Sequence, residues 1–306
     1  KVGDQMLIKN GRVIDAGSKT DVIADILVEG DIIKKIDKNI NKENETIIDA
    51  GGKIIAPGLI DIHVHFREPG FTYKEDIISG SSAAARGGFT TVVCMANTYP
   101  AVDNIEVLQQ INDLIKNSPI KILQTAAVTK GLKGEELVNM EELMKYGAAG
   151  FTDDGFPIMD TAIVLNAMME AKRLNVPISL HEEDPRLISN PGINEGRISE
   201  KLCIKGAPHI AEDVMVARDC LIALHSGAKV NFQHISSGLS VDIIRCAKRM
   251  GANITAEASP HHFSMTEEDV LIYNTNAKMN PPLRTETDRL KIIEGLKDGT
   301  IDIIAT

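Results

Sequence analysis

The pattern of hydrophobic and polar residues changes near Pro57 and divides the chain into two regions. Residues 1–56 contain short apolar runs separated by turns rich in Gly, Asn and Asp, which is typical of a small β domain. Asn10-Gly11 predicts a hairpin, because this dipeptide tolerates the left-handed conformations of two-residue turns. Glu29-Gly30-Asp31 is predicted to be another turn between strands.

Residues 57–306 alternate between apolar strand-like runs and amphipathic helix-like stretches. This alternation predicts a (β/α)8 barrel. An open doubly wound sheet is the alternative, and the missing G-x-G-x-x-G loop after the first strand disfavours it. The predicted strands are Leu59–Phe66, Phe89–Ala96, Ile120–Val128, Ala148–Asp153, Val176–His181, Lys229–Ile235, Asn253–Ala258 and Ile301–Ala305, and the clearest helices are Asp160–Leu174, Ala211–His225, Leu239–Met250 and Arg289–Lys297.

Histidines and other polar residues concentrate at the carboxyl ends of the predicted strands, where barrels of this kind place their chemistry. Side chains two residues apart share one face of a strand, so His63 and His65 point the same way with Asp61 behind them. Of the 8 histidines, only His209 and His225 lie elsewhere. The other polar strand ends carry Asn97, Asp153, Asp154, His181, His234, His261 and His262.

Four histidines and a carboxylate at one end of a barrel predict a metal site. Zinc suits this donor set, since it binds imidazole nitrogen and carboxylate oxygen, and the set is large enough for one or two ions. Such ions lower the pKa of water and polarise carbonyl groups, which predicts hydrolytic chemistry at an amide-like carbon.

Composition narrows the function classes further. The net charge of -10 argues against a nucleic-acid partner, and no apolar run is long enough to span a membrane. The 4 cysteines are scattered without a C-x-x-C pair, which favours free thiols and a cytoplasmic location.

Several motifs resemble those of type I dihydroorotase, a member of the amidohydrolase superfamily, in the same order along the chain. The similarity runs from about Met6 to Thr306. It implies a metal-dependent (β/α)8 TIM barrel at 57–306 with a small β-sandwich-like domain built from residues 1–56. The motifs are His63-Val-His65-Phe-Arg67-Glu-Pro-Gly70, Cys94-Met-Ala-Asn97-Thr, Phe151-Thr-Asp-Asp154-Gly155, Leu180-His181-Glu-Glu-Asp184, Pro260-His-His262 and Met279-Asn280-Pro-Pro-Leu-Arg284.

The resemblance implies the reversible cyclisation of N-carbamoyl-L-aspartate to L-dihydroorotate in de novo pyrimidine (UMP) biosynthesis. It assigns His63 and His65 to one zinc ion, His181 and His234 to a second, and Asp154 to both. Asp153 is the alternative carboxylate, and the family's spacing to His181 favours Asp154.

The same resemblance assigns substrate binding to His65, Arg67, Asn97 and Asn280. Arg67 suits this role physically, because a guanidinium fork matches a carboxylate. A homodimer is a family-level expectation, and aspartate carbamoyltransferase is a possible partner.

Two other functions remain in competition. Hydantoinases and dihydropyrimidinases are similar, but they place a carboxylated lysine in the fourth strand, where this chain has Gly150-Phe-Thr-Asp-Asp-Gly155. An inactive structural partner of aspartate carbamoyltransferase is the other alternative, and inactive relatives lack the metal ligands.

The resemblance also places the catalytic aspartate at the end of strand eight, immediately after Thr306. We therefore expect the natural protein to be longer, with the C-terminal part of the small domain missing here. We expect no catalytic acid–base residue in the printed chain and little or no activity from it.

Several neighbouring residues have less certain roles. Asp61 is either an acceptor that orients a ligand imidazole or a core carboxylate. Glu182, Glu183 and Asp184 are predicted to form a solvated turn. The excursion Pro185–Pro208 is predicted either to cover the substrate or to pack in the ordinary way.

Overall fold

A computed structural model describes residues 5–41 and 46–306, which form two compact units divided between Leu59 and Ile60. The strands are β1 Gln5–Asp15, β2 Thr20–Glu29, β3 Ile32–Asp37, β4 Thr46–Asp49, β5 Ile54–Ile55, β6 Leu59–Val64, β7 Phe89–Cys94, β8 Lys121–Gln124, β9 Phe151–Thr152, β10 Ile178–Leu180, β11 Val230–Phe232, β12 Ile254–Ala258 and β13 Ile303–Ile304. The helices are α1 Ile77–Arg86, α2 Ile105–Leu114, α3 Met140–Lys145, α4 Thr161–Leu174, α5 Arg197–Lys201, α6 Ile210–Ser226, α7 Gly238–Arg249, α8 Pro260–Ser264, α9 Val270–Tyr273 and α10 Glu286–Asp298.

The N-terminal unit is a mixed sheet with the order β3-β2-β1-β4, and β5 also pairs with β1. Strand β2 runs antiparallel to both β1 and β3, whereas β4 and β5 run parallel to β1. Its buried apolar residues form two small clusters, one around Leu7 and Leu27 and the other around Val13 and Ile26. The turn predicted at Glu29-Gly30-Asp31 is confirmed, because it joins β2 and β3.

The hairpin predicted at Asn10-Gly11 is wrong, because β1 continues through this pair. The pairing of β1 with β2 shifts register between Ile8 and Gly11, as in a β-bulge. Asn10 adopts a φ of 63°, and its backbone N–H donates to Asp25 Oδ1 at 2.9 Å. Asn10 therefore has the left-handed conformation that an Asn-Gly pair tolerates, but the Asp25 side chain on β2 holds it within a strand and not in a turn.

The second unit is the predicted (β/α)8 barrel, built from β6 to β13. Two parallel sheets, β6-β7-β8 and β9 to β13, contain its eight strands. A parallel bridge from Ala126 to Phe151 joins β8 to β9. Thr306 N and Oγ1 donate to the Asp61 carboxylate at 3.3 and 2.5 Å, which links the end of β13 to β6. The strand order closes the ring predicted from the sequence.

Capping residues mark the ends of several helices around the barrel. Asp160 caps α4, and its Oδ1 accepts from Ala162 N and Ile163 N at 2.7 and 3.1 Å. Gly227 and Gly299 end α6 and α10 in the left-handed conformation. No helix within 5–41 and 46–306 is long and apolar enough to cross a membrane.

Candidate metal centre

Four imidazoles surround the carboxylate of Asp154 at the carboxyl end of the barrel. Asp154 Oδ1 lies 3.4 Å from His63 Nε2, 3.6 Å from His181 Nδ1 and 3.5 Å from His234 Nε2. Asp154 Oδ2 lies 3.3 Å from His65 Nε2. Strands β6, β9, β10 and β11 each end beside one of these residues, so the parallel barrel brings together side chains that are far apart in sequence.

Two polar atoms at this centre are buried without a hydrogen-bond partner, namely Asp154 Oδ1 and His234 Nδ1. Buried polar atoms normally have partners, and an ion is one explanation for such gaps. Donor atoms of His63, Asp154 and His234 all lie within 4.8 Å of one another, which is close enough to bind one metal ion. Imidazole nitrogen with carboxylate oxygen is a donor set that fits zinc.

The electrostatics of the centre favour positive charge at two of its four histidines, His63 and His181, whereas burial lowers the pKa of His65 and of His234. Burial lowers the pKa of His63, but Asp154 and Glu257 outweigh burial and raise that pKa to about 10. Burial likewise lowers the pKa of His181, while Asp154 and Glu183 raise it to about 9. Burial alone would raise the pKa of Asp154, yet the surrounding histidines hold it well below its usual value. A bound cation can replace these protons, because metal ligands must be deprotonated.

Glu257 on β12 orients His63. Its Oε2 lies 2.9 Å from His63 Nδ1, and its Oε1 accepts from Asn231 Nδ2 at 2.5 Å. The ring therefore presents Nε2 to Asp154, in the carboxylate–histidine arrangement common behind metal ligands. Asp61 was the sequence candidate for this role, but its carboxylate instead accepts from Thr306 and from the backbone N of His63.

Asn97 contacts both His65 and Asp154. Its Oδ1 lies 3.0 Å from His65 Nδ1, and its Nδ2 donates to Asp154 Oδ2 at 3.2 Å. This predicted substrate residue therefore lies at the edge of the centre, where it also fixes the His65 ring.

Asp153 and Asp154, adjacent in sequence, have different environments. Asp153 Oδ1 accepts from Val128 N and Thr129 N at 2.7 and 3.1 Å, and Thr129 Oγ1 donates to Oδ2. Burial raises the pKa of Asp153 to about 6 despite these bonds. The carboxylate oxygens of Asp153 are bonded to the loop after β8. Asp154 is therefore the carboxylate that is available at the centre.

The solvated turn predicted for Glu182, Glu183 and Asp184 is wrong, because all three residues are buried. Glu183 Oε2 lies 3.1 Å from His181 Nε2, so it contacts the other nitrogen of a central imidazole. Asp184 N donates to Ala211 O at 2.9 Å, which holds the segment against the start of α6. An acidic run looks solvated in sequence, because the helix that buries this one, α6, begins only at Ile210.

The remaining predicted residues lie in segments that follow strand ends. Arg67 adopts a φ of 60° and is half-buried in the turn after β6, where burial lowers the pKa of its guanidinium. Asn280 is exposed. His262 is buried with its Nε2 3.0 Å from Pro281 O, whereas its Nδ1 has no hydrogen-bond partner. His261 is half-buried beside it, and burial lowers its pKa to about 4.

Sequence reasoning missed Glu257 and Gln233. Glu257 interrupts the apolar strand Ile254–Ala258, and a carboxylate inside a strand was the available signal. Gln233 lies between Phe232 and His234, and its Nε2 is 3.4 Å from His63 Nδ1.

Comparison with known proteins identifies relatives in sequence and in structure. Residues 52–240 match a family model described as dihydro-orotase-like. A dihydroorotase from Clostridioides difficile (strain 630) is 61% identical over 302 residues, covering 98% of this chain and 72% of that protein. A dihydroorotase from Lactococcus lactis subsp. lactis (strain IL1403) is 51% identical over 301 residues, covering 98% of this chain and 71% of that protein.

Solved structures named as hydantoinases share the fold. L-hydantoinase (dihydropyrimidinase) from Arthrobacter aurescens superposes with a TM-score of 0.86 at 22% identity, covering 99% of this chain and 69% of that one. D-hydantoinase (dihydropyrimidinase) from Thermus sp. gives a TM-score of 0.80 at 27% identity, covering 98% of this chain and 68% of that one.

Proposed function

Because the chain belongs to the dihydroorotase family of the amidohydrolase superfamily, we propose that it is a zinc-dependent dihydroorotase. The reaction is the reversible cyclisation of N-carbamoyl-L-aspartate to L-dihydroorotate in pyrimidine biosynthesis. The observation that supports it most strongly is the Asp154 carboxylate within 3.3 to 3.6 Å of four histidine nitrogens.

We propose that His63, His65, Asp154, His181 and His234 hold one or two zinc ions. A bound zinc ion supplies water at a lowered pKa and polarises the substrate carbonyl. The chain's own residues set the conditions for this chemistry, since burial excludes bulk water and strengthens each charge interaction.

Around this centre, other side chains would orient the metal-binding imidazoles and bind the substrate. Glu257 and Glu183 accept from His63 and His181, so each imidazole presents one defined nitrogen. We assign binding of the substrate carboxylate to Arg67, whose charge is half-buried beside the centre. We assign contacts to the substrate's polar groups to His65, Asn97 and Asn280.

Hydantoinase chemistry is the second candidate, because the solved structures that share this fold are named hydantoinases. The fourth strand distinguishes the two families: it carries Asp153 and Asp154 and no lysine. A carboxylate-bearing substrate, dihydroorotate, also matches the half-buried Arg67 better than hydantoin, which has no carboxylate.

A substrate panel tests the proposal. The natural protein, produced from its complete gene and loaded with zinc, is assayed with L-dihydroorotate, hydantoin and dihydrouracil under one set of conditions. We expect a kcat/KM for L-dihydroorotate at least 100-fold higher than for hydantoin or dihydrouracil. Arg67→Lys should reduce this ratio of kcat/KM values. A higher kcat/KM for hydantoin or dihydrouracil would reject dihydroorotase in favour of the second candidate. Zinc binding without turnover of any of the three substrates would favour the structural-partner alternative.

Location and assembly belong to the same proposal. We propose a cytoplasmic enzyme, because Cys94, Cys203, Cys220 and Cys246 are all free thiols, as expected in a reducing compartment. A homodimer, and association with aspartate carbamoyltransferase, are proposed from the family resemblance. Light scattering of the protein alone and mixed with that transferase tests both.

A further inference from the structure

Arg284 joins three segments at the carboxyl end of the barrel. Its side chain is buried, and its Nε donates to Ser236 Oγ at 3.1 Å. Its Nη1 donates to Asn194 Oδ1 at 2.9 Å and to Ala207 O at 2.6 Å. Ser236 follows β11, whereas Asn194 and Ala207 belong to the excursion between β10 and α6.

The first of these segments carries the proposed metal ligand His234. His234 adopts a φ of 35°, which is uncommon for a residue other than glycine and persists only where the surroundings hold it. Two residues later, Ser236 N and Ser237 N donate to Glu212 Oε1 at 3.1 and 2.9 Å. Glu212 on α6 and Arg284 therefore hold the residues after His234 from two sides.

The second segment is the excursion 185–208, and Arg284 closes its base. Asn194 and Ala207 form an isolated parallel bridge, and Ala207 N donates to Ile193 O at 2.8 Å. Asn194 Nδ2 donates to Glu267 Oε2 at 2.7 Å, while Glu267 N donates to Arg284 O at 2.8 Å. These bonds form a closed loop of contacts.

The third segment is the one that contains Arg284 itself and begins at Asn280, the proposed substrate residue. Pro281, Pro282 and Leu283 are buried, so a displacement of Arg284 would be transmitted to Asn280. Glu212 interacts electrostatically with the buried Arg284 guanidinium, whose Nη2 has no hydrogen-bond partner. A buried charge depends on the partners it has, and removing one of them is costly.

We propose that Arg284 is a positioning residue that holds His234 in its metal-binding orientation through Ser236, and holds the excursion 185–208 through Asn194. The roles of His234 and Asn280 rest on the proposed function. A guanidinium suits this task, since it presents several donors in a rigid plane, whereas an ammonium offers a single point of charge.

The test separates the two connections. Ser236→Ala removes the hydroxyl that connects Arg284 to the His234 segment; this hydroxyl also donates to Glu212, but the backbone bonds from Ser236 N and Ser237 N to Glu212 remain. Asn194→Ala removes the side-chain connection of the excursion to Arg284 and leaves the bond to Ala207 O. Arg284→Lys keeps the charge and loses the planar fork. Arg249→Lys is the control, because Arg249 is an exposed arginine at the end of α7. Each substitution is made in the natural protein produced from its complete gene, which is measured for zinc affinity, for amide hydrogen exchange of peptides from 185–208, and for kcat and KM with L-dihydroorotate.

We expect Ser236→Ala to lower zinc affinity about tenfold, a loss typical of residues behind metal ligands, with little change in exchange of 185–208. We expect Asn194→Ala to speed that exchange at least tenfold and to raise KM, with zinc affinity within about twofold of the unmodified protein. Arg284→Lys should show both effects. If Arg284→Lys does not fold, Ser236→Ala and Asn194→Ala still test the proposal.

The proposal is overturned if Ser236→Ala and Asn194→Ala change both readouts equally, as a general loss of stability would, or if neither changes any readout. Zinc affinity and hydrogen exchange are measured without substrate. A protein that prefers hydantoin would therefore reject the proposed function while leaving the role of Arg284 supported.

Discussion

Glu257 is the residue whose contribution to the metal centre can be tested most cleanly. Its carboxylate is buried and accepts from both His63 and Asn231. Glu257→Gln keeps the size of the side chain but removes the charge that favours the His63 orientation. We expect zinc affinity to fall about 10- to 100-fold, measured by competition with a chelating dye.

Glu135→Gln serves as the matched control, because Glu135 is exposed. Its zinc affinity should equal that of the unmodified protein. Equal affinity for the Glu257→Gln variant would show that Glu257 does not orient the His63 ring.

Asp153 and Asp154 offer a second test between neighbouring residues. Asp154→Asn removes an anionic oxygen from among four histidines, so we expect zinc content to fall to less than half. Asp153→Asn leaves that centre intact and loses an acceptor for the loop after β8, which should cost about 1–3 kcal/mol of unfolding free energy. Metal analysis and urea denaturation measure the two effects, and the reverse pattern would assign the metal to Asp153.

His261 predicts a pH dependence of stability. Burial lowers its pKa to about 4, compared with about 6.5 in the unfolded chain. Between these values the unfolded state binds more protons, so the His261 contribution to stability is full above pH 6.5 and falls as pH drops towards 4. Between pH 7 and pH 5, we expect the metal-free His261→Gln variant to lose about 1–2 kcal/mol less unfolding free energy than the metal-free unmodified protein.

The exposed His225 provides the control for that experiment. His225→Gln should follow the unmodified protein at both pH values in urea denaturation. Identical losses of unfolding free energy for the unmodified protein and the His261→Gln variant would contradict a lowered pKa at His261.

At the scale of the element, the turn after β6 depends on one close backbone approach. Gly70 has a φ of 97°, and a Cβ there would lie 2.1 Å from Tyr99 O. Gly70→Ala must therefore move the turn that carries Arg67. We expect a loss of at least about 3 kcal/mol of unfolding free energy and a large fall in kcat/KM.

Gly88→Ala is the matched variant, since Gly88 has a φ of 87° with no atom within 4 Å of the added Cβ. It introduces the same backbone strain without the contact, at a cost of about 1 kcal/mol. Similar stability and activity in the two variants would show that the close contact between Gly70 and Tyr99 O does not limit stability or activity.

Element prediction from sequence succeeded where the signal was local. The helices predicted at Asp160–Leu174 and Ala211–His225 agree with α4 and α6 to within one residue at each end, because the capping Asp160 and the terminal Gly227 lie within one turn of those ends. The hairpin at Asn10-Gly11 failed because Asp25, on another strand, accepts from Asn10. Such a contact leaves no trace in the local pattern.

At the scale of the whole molecule, part of the site could be predicted from sequence and part could not. The barrel topology follows from alternating strands and helices, and it predicted that side chains at the strand ends would meet. The partners behind those side chains could not be predicted in this way. Glu257 reaches His63 across 194 positions of sequence, and Arg284 reaches Asn194 across 90. Only the closed barrel brings these pairs together.

The central claim is that this barrel holds zinc between Asp154 and the four histidines. Crystals of the zinc-loaded protein, measured at wavelengths on either side of the zinc absorption edge, test it most directly. We predict one or two anomalous peaks within coordination distance of Asp154 and at least two of His63, His65, His181 and His234. Fully loaded crystals with no peak there, or with a peak only at Asp153 or at a surface site, would contradict the account.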